Sequence, residues 1–249
     1  MFRFLLLALA ALCGCSVATS RGTLYQIATI HALSAGAYEA QGTCGDLRRH
    51  GDSGLGTFEG LDGELVFLNG TCFQIRADGT VLQRSDDARV PFASVTFLDG
   101  AASSPLPPNL ALSGLEATLL ARATMPETPY AILVEGTFRS LRIRSVPKQS
   151  RPYPKLAAVI AQQTIFELRP TRATLVGFWI PKHLGGLAPP GLHLHVLTAD
   201  WKSGGHVLAA DLAQGTAVFE PLRELTVRLP QGDALGHFER ASPSGGVQE

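Results

Sequence analysis

Residues 191–212 read GLHLHVLTADWKSGGHVLAADL, and this stretch decides how the rest of the chain is interpreted. Apolar residues alternate with the two histidines, as on a half-buried β-strand, so His193 and His195 leave the same face of that strand. The segment ADWKSGG is rich in turn residues. A hairpin centred on its Asp-Trp dipeptide sets His206 directly opposite His195. In such a hairpin the two residue numbers of each cross-strand pair add up to the same total. The sequence therefore predicts one β-hairpin that carries three histidines.

Three imidazoles on neighbouring strands suit a single metal ion. Cross-strand neighbours hold their Cβ atoms about 4.5–5.5 Å apart, which is compatible with Zn–N bonds of about 2.0–2.1 Å. A His-x-His pair alone is more often a solvated strand face, but the third histidine in register favours a metal site. We expect solvated positions in loops or at helix ends for the other four histidines, His31, His50, His183 and His237. Three protein ligands and an open position are typical of catalytic zinc, so we predict Zn²⁺ at His193, His195 and His206.

Short β-forming segments separated by turns fill much of the remaining chain. Residues 61–68 and 72–76 flank an Asn-Gly pair, the composition of a tight hairpin turn. The 16 Pro and 26 Gly favour turns between short strands over a helical bundle. We predict a β-rich α+β fold in two lobes. Residues 21–146 would form a mixed-sheet lobe, and residues 147–249 a β-sheet or barrel-like lobe that carries the histidine hairpin.

The charge balance excludes two classes of partner. Lys+Arg and Asp+Glu both number 21, so the formal net charge is zero. Binding to nucleic acid or to an anionic membrane surface usually depends on a basic surplus. We therefore expect no nucleic acid and no membrane as partners, except through a lipid anchor.

Residues 1–20 differ in composition from the rest of the chain. Arg3 precedes an apolar run at residues 4–12, which is too short to span a bilayer but has the length of a signal-peptide core. We predict a signal peptide and export to the periplasm or the outer surface. Its cleavage has two interpretations: the LCGC stretch resembles a lipoprotein box with Cys15 as the lipidated residue, and the alternative is ordinary cleavage near residues 18–20.

Two cysteines lie beyond this leader. In an oxidising compartment Cys44 and Cys72 could close a disulfide. Two buried, reduced thiols are the alternative, and the spacing shows no metal motif at either position. The sequence leaves both interpretations open.

Two charged residues outside the hairpin are ambiguous on sequence grounds. Glu64 follows an Asp-Gly turn at the head of an apolar strand, where a carboxylate can face water or a site. Arg144 follows a hydrophobic strand and has four basic neighbours, Arg139, Arg142, Lys148 and Arg151. From the residues alone, a solvated position is the better interpretation for both.

Three long stretches, in order, resemble the alpha-acetolactate decarboxylase family. They are HGDSGLGTFEGLDGELVFLNG at residues 50–70, YAILVEGTFRSLRIRSVPKQSRPYP at 130–154 and PGLHLHVLTADWKSGGHVL at 190–208. The likeness extends from about residue 23 to residue 229. It implies that the three histidines of the HLH…GGH motif bind zinc, which agrees with the prediction from the hairpin.

The same resemblance assigns further site residues. It implies catalytic roles for Glu64, in the DGE motif, and for Arg144, three residues before the proline of the VP motif. Arg144 and Thr57 are implied substrate contacts. The family also places a glutamate near the C terminus in the site, for which Glu249 is the candidate and Glu239 a weaker one.

The resemblance implies a reaction as well as a site. The substrate would be (S)-2-acetolactate and the products (R)-acetoin and CO₂. Zinc would polarise the ketone and act as the electron sink for the enediolate. Arg144 would orient the anionic substrate, and Glu64 or Glu249 would handle the proton. The family also implies a homodimer.

Two other functions stay open at this stage. Cupin-like metal oxygenases and isomerases also carry a His-x-His motif on a barrel strand, but this chain has KSGGH at residues 202–206 instead of the usual nearby glutamate. The other alternative is a non-enzymatic exported zinc-binding protein, which would usually have acidic or His-rich loops. We favour the decarboxylase over both.

Overall fold

β-Strands dominate the computed structural model, which describes residues 21–231. They form where β-branched and aromatic residues alternate with polar ones. In chain order the strands are β1 (Thr23–Ile27), β2 (Gly42–Thr43), β3 (Ser53–Thr57), β4 (Glu64–Leu68), β5 (Thr71–Ile75), β6 (Val81–Arg84), β7 (Arg89–Val90), β8 (Phe92–Thr96), β9 (Ser104–Pro105), β10 (Leu110–Ala111), β11 (Tyr130–Ser145), β12 (Thr164–Leu168), β13 (Thr171–Ile180), β14 (Gly191–Thr198), β15 (Gly204–Pro221) and β16 (Glu224–Arg228).

The α-helices of the described residues are few and short. They are α1 (Ile30–Ala35), α2 (Cys44–His50), α3 (Leu112–Leu120) and α4 (Leu156–Ile160). None of the helices within residues 21–231 has the length and apolar character needed to cross a membrane. The prediction of a β-rich fold is confirmed.

The first large sheet has seven strands in the order β16-β1-β8-β3-β4-β5-β6. Strand β16 runs parallel to β1, and the other neighbours are antiparallel, so this sheet is mixed. The predicted Asn-Gly turn joins β4 to β5, and both Asn69 and Gly70 have positive φ angles, as a tight hairpin turn requires.

The second large sheet contains the strands β10-β15-β14-β13-β11-β12, with β9 also paired to β15. Strand β11 pairs with β13 and also with β15. Because β14 joins β13 to β15, these four strands hydrogen-bond in a ring. The histidine hairpin, β14 and β15, is part of that ring.

Each sheet takes strands from both sides of residue 146, the predicted boundary between lobes. Strand β11 comes before it and belongs to the second sheet, whereas β16 comes after it and belongs to the first. Sheet membership alone therefore does not divide the chain there. The two-lobed, barrel-like description stays a prediction.

A hydrophobic contact joins the two large sheets. Val66, Phe73 and Ile75 of the first sheet pack with Val176 and Leu197 of the second, and all five side chains are buried. This contact brings the start of β4 against β14. It therefore sets the distance between the DGE motif and the histidines.

Helix α2 is fixed to the first sheet by a disulfide and an ion pair. Cys44 and Cys72 are bonded, with their Cα atoms 6.3 Å apart, which decides between the two interpretations of these cysteines. Thr43 and Asp46 form a reciprocal capping box at the start of the helix. Arg228 of β16 donates a hydrogen bond to Asp46 at 3.0 Å. The helix thus connects β5 with the edge strand β16.

Candidate active site

The histidine hairpin forms as the sequence predicts. His195 and His206 are paired residues of β14 and β15, and His193 lies on the same face of β14. The ring centroids of the three imidazoles are 4.9–5.3 Å apart. One ligand nitrogen from each ring can be chosen so that all three lie within 4.8 Å of one another. This group could hold a metal ion.

Two glycines before His206 allow the close strand pairing that places it. A Cβ atom on Gly204 would lie 2.5 Å from the carbonyl oxygen of Val196, and one on Gly205 would lie 2.5 Å from that of Arg144. Gly205 also has a φ of +145°, which side chains rarely adopt. The GGH motif therefore has a steric reason: only glycine lets β15 approach both neighbours here.

A backbone carbonyl fixes the orientation of His195. Its Nδ1 lies 2.8 Å from the carbonyl oxygen of Leu65, and since a carbonyl can only accept, Nδ1 carries the proton and donates. Nε2 is then left with its lone pair, which is the form that binds a cation. The Leu65 contact cannot be found from sequence, because any residue type supplies a carbonyl.

Glu64 and Arg144 meet beside the imidazoles although they come from different sheets. Arg144 Nη1 lies 3.3 Å from Glu64 Oε1, and the other carboxylate oxygen is 3.4 Å from His195 Nε2. Glu64 is only 6% exposed, so the solvated position expected from sequence is wrong for this residue. Arg144 is also mostly buried, with 13% of its side chain exposed, and it is the residue of β11 paired with His206.

Burial shifts the protonation of this cluster. Burial raises the pKa of Glu64 to about 7, and the nearby Arg144 charge opposes the shift. Burial, assisted by the Arg144 charge, lowers the pKa of His193 to about 4. The pKa values of His195 and His206 are also lowered by burial, with the charge of His193 adding to the effect. All three imidazoles are therefore neutral near pH 7 and available as ligands.

Thr57 lies at the end of β3, opposite Glu64 in the pairing of β3 with β4. Its hydroxyl donates a hydrogen bond of 2.6 Å to the carbonyl oxygen of Gly63. The oxygen of this buried hydroxyl can still accept a hydrogen bond on the cavity side. The residue thus supports the DGE turn and also faces the cavity.

A cavity of about 260 Å³ opens over the imidazoles. Its polar end is formed by the three histidines with Glu64, Arg144 and Thr57. Most of its remaining lining is apolar and includes Ile30, Leu33, Leu61, Phe92, Val146, Leu156, Ile160, Pro189, Pro190 and Leu192. Sequence analysis missed this apolar lining, because its members come from six separate segments and no local pattern connects them.

The other predicted residues fall into two groups. Glu249, Glu239, Cys15 and His237 lie outside the described residues. His31, His50 and His183 are exposed, as expected for histidines without a site role. His50 has a structural contact that the sequence did not indicate, since its ring stacks on Tyr25 with centroids 3.8 Å apart.

Comparison with known proteins identifies similar chains. The family model described as alpha-acetolactate decarboxylase matches residues 24–240. A curated alpha-acetolactate decarboxylase from Methanosarcina mazei is 38% identical over 226 residues, which cover 91% of this chain and 77% of that protein. One from Brevibacillus brevis is 35% identical, over 88% of this chain and 77% of that protein. The crystal structure of alpha-acetolactate decarboxylase from Bacillus subtilis strain 168 superposes with a TM-score of 0.84 at 29% identity, over 89% of this chain and 94% of that one.

Proposed function

Since this chain belongs to the alpha-acetolactate decarboxylase family and is therefore a carboxy-lyase, we propose that it converts (S)-2-acetolactate to (R)-acetoin and CO₂ with Zn²⁺ as cofactor. The observation that carries the proposal is the partly buried cluster of three neutral imidazoles next to Arg144 and Glu64, at one end of an otherwise largely apolar cavity. Both the donor set and the cavity suit a small, anionic, oxygen-rich substrate.

The three histidines fit a resident divalent cation. Their lowered pKa values keep the lone pairs free at neutral pH, and the bond from His195 Nδ1 to Leu65 directs Nε2 away from the backbone. We assign Zn²⁺ because an all-imidazole set of three protein ligands is typical of catalytic zinc. The bound ion supplies Lewis-acid polarisation of the ketone and an electron sink for the charge left by CO₂.

Arg144 binds and orients the substrate carboxylate in this proposal. Within residues 21–231, Glu64 is the single hydrogen-bond partner that its guanidinium has, through Nη1. The remaining N–H donors of the guanidinium can take a carboxylate in a charge-assisted, two-point contact. Since the side chain is mostly buried, this attraction is screened less than at an open surface.

In this proposal Glu64 handles the proton that replaces CO₂. Its two carboxylate oxygens contact Arg144 Nη1, at 3.3 Å, and His195 Nε2, at 3.4 Å, so the group lies beside both the proposed carboxylate-binding residue and a proposed metal ligand. Proton delivery from one fixed side would set the configuration of acetoin. Glu249 is the second candidate for this step. Thr57 accepts a hydrogen bond from the substrate hydroxyl, because its own proton is donated to Gly63.

The apolar lining excludes water and receives the two methyl groups of the substrate. Isoleucine and leucine side chains of α1 and α4 line the cavity. A water-poor site strengthens the contacts of Arg144 and limits unwanted proton exchange. We further propose that the protein is exported, with Cys15 as the lipid-anchor candidate, and that it forms a homodimer.

The deciding experiment is acetoin formation from racemic 2-acetolactate by the purified mature chain. We expect activity that disappears after chelation and returns when Zn²⁺ is added back. About half of the racemate, the (S) enantiomer, should be consumed. Optical rotation of the product identifies the acetoin enantiomer, and light scattering at several concentrations tests the dimer. Folded, zinc-loaded protein that forms no acetoin would rule out the proposed reaction.

A further inference from the structure

A buried glutamine outside the cavity connects three parts of the chain. Gln26 lies in β1, is fully buried, and faces Ser94 of β8 in the strand pairing. Its Oε1 accepts a hydrogen bond from the Ser94 hydroxyl at 3.2 Å. Its Nε2 donates to the carbonyl oxygens of Ala28, at 2.8 Å, and Leu187, at 2.7 Å. All the capacity of the amide NH₂ group is therefore used on backbone.

The bond to Leu187 holds the loop that leads into the histidine hairpin. Residues 181–190 connect β13 with β14, and Leu187 lies in this Gly/Pro-rich segment. The backbone N–H of Ile30 donates to the same carbonyl oxygen at 2.8 Å. Two residues further along, Pro189 and Pro190 line the cavity just before the strand that carries His193.

The bond to Ala28 holds a second segment that lines the cavity. Ala28 has a φ of +59°, an uncommon conformation for a residue with a side chain, and it turns the chain from β1 towards α1. Helix α1 then places Ile30 and Leu33 in the cavity lining. A donor on the Ala28 carbonyl stabilises this turn from inside the sheet.

We propose that Gln26 is a positioning residue for the reaction, which fixes the cavity wall formed by Ile30, Leu33, Pro189 and Pro190 relative to the imidazoles. The inference rests on the proposed function. One amide nitrogen bonds the backbone of both segments that supply this wall, and together with the Ile30 N–H on the Leu187 carbonyl it sets their spacing. An aliphatic residue of equal size would fill the space, but it would leave the Ala28 carbonyl without the Gln26 donor and the Leu187 carbonyl with the Ile30 N–H alone.

Gln26→Met tests the proposal because it keeps side-chain length and volume while removing the hydrogen bonds. We expect KM for 2-acetolactate to rise about tenfold, the equivalent of one buried hydrogen bond, with kcat and zinc content close to those of the parent. Hydrogen–deuterium exchange should quicken at the Ile30 amide and in residues 182–188. Gln26→Glu places a carboxyl oxygen against at least one of the two carbonyls and donates one hydrogen bond at most, only when protonated, so KM should rise in this variant as well.

Two control variants separate positioning from general destabilisation. Ser94→Ala removes the Oε1 partner but leaves both Nε2 bonds, so KM and loop exchange should stay at parental values. Val95→Ala makes a space in the buried core of the same strand, and should lower the Tm without raising KM.

The possible failures are distinguishable. Active parent protein with unchanged KM and unchanged loop exchange in Gln26→Met overturns this inference alone. Failure of both Gln26 variants to fold also overturns it, because Gln26 would then determine the fold and not the wall. Parent protein that forms no acetoin overturns the proposed function and the catalytic part of the inference, while the exchange measurement still decides whether Gln26 holds the loop.

Discussion

Arg144 and His206 are directly paired residues of β11 and β15, so the proposed substrate-binding residue and a proposed metal ligand share one backbone ladder. Glu64, by contrast, belongs to the other large sheet and reaches both Arg144 and His195 from there. The spacing of the polar groups therefore depends on strand pairing within one sheet and on packing between two sheets.

His206→Ala should remove the metal site. Two imidazoles on one strand would remain, and we expect metal affinity to fall by more than about 100-fold, beyond the range for residues that only orient a ligand. Zinc content after dialysis and acetoin formation measure the effect. His183→Gln changes an exposed histidine and is the matched control; equal zinc content in both variants would contradict the assignment of His206.

Glu64→Gln should separate catalysis from metal binding. Zinc content should stay at one ion per chain, while turnover falls by about 100-fold or more, the range for a lost general acid or base. Glu59→Gln is the control, because Glu59 is a surface carboxylate paired with Arg89. Parental turnover in Glu64→Gln would remove this residue from the mechanism.

Gly205→Ala should disturb the ladder that joins Arg144 to His206. The added Cβ would lie 2.5 Å from the Arg144 carbonyl oxygen at a φ of +145°, so we expect a loss of about 1–3 kcal/mol in the free energy of unfolding, with lower kcat/KM. Urea unfolding and steady-state kinetics measure both. Gly186→Ala is the control, since nothing lies within 4 Å of its added Cβ; equal behaviour of the two variants would refute the steric argument.

Leu33→Ala should widen the apolar end of the cavity. For the substrate homologue with an ethyl group in place of the C2 methyl, kcat/KM relative to 2-acetolactate should rise about tenfold, the usual scale for one methylene in an apolar pocket. Leu119→Ala is the control, because Leu119 is a buried leucine of α3 that does not line the cavity. This variant should leave the ratio unchanged. An unchanged ratio in Leu33→Ala would mean that α1 does not contact the alkyl group.

Asp46→Asn should cost about 1–2 kcal/mol of stability at pH 7, because Asp46 caps α2 and accepts a hydrogen bond from Arg228. Burial acts to raise the pKa of Asp46, but the bonds from Arg228 and from the Thr43 backbone more than offset it, so the folded pKa is lowered. The stabilisation is therefore fully present above the unfolded pKa of about 4 and is lost as the pH falls through the folded value. Urea unfolding of both proteins from pH 7 to pH 3 should show the difference shrinking; a constant difference would contradict the linkage.

Local pattern was sufficient for the hairpin and insufficient for the rest of the site. Alternation and turn composition predicted that His195 and His206 would be paired, because both signals lie within twelve residues. Glu64 and Arg144 are 80 residues apart, and their burial depends on the contact between two sheets. From the residues alone both looked solvated, and the family resemblance was needed to assign them.

The same reason explains which features of the fold could not be predicted from the sequence. Short strands and the Asn69-Gly70 turn were predictable, but the double pairing of β11 with β13 and β15 was not, since strand partners are chosen by long-range packing. The division at residue 146 was drawn from composition, which does not show that β16 returns to the first sheet. The roles of Gln26 and the Leu65 carbonyl depend on backbone partners that no motif encodes.

The parallel pairing of Thr23 with Glu224 has a consequence for how the protein is made. The first sheet lacks its edge strand until residue 228 has left the ribosome, and the ring of the second sheet stays open until β15 has been synthesised. During most of translation the nascent chain therefore exposes unpaired strand edges. Folding should be slow, because both closures pair strands that lie far apart in sequence.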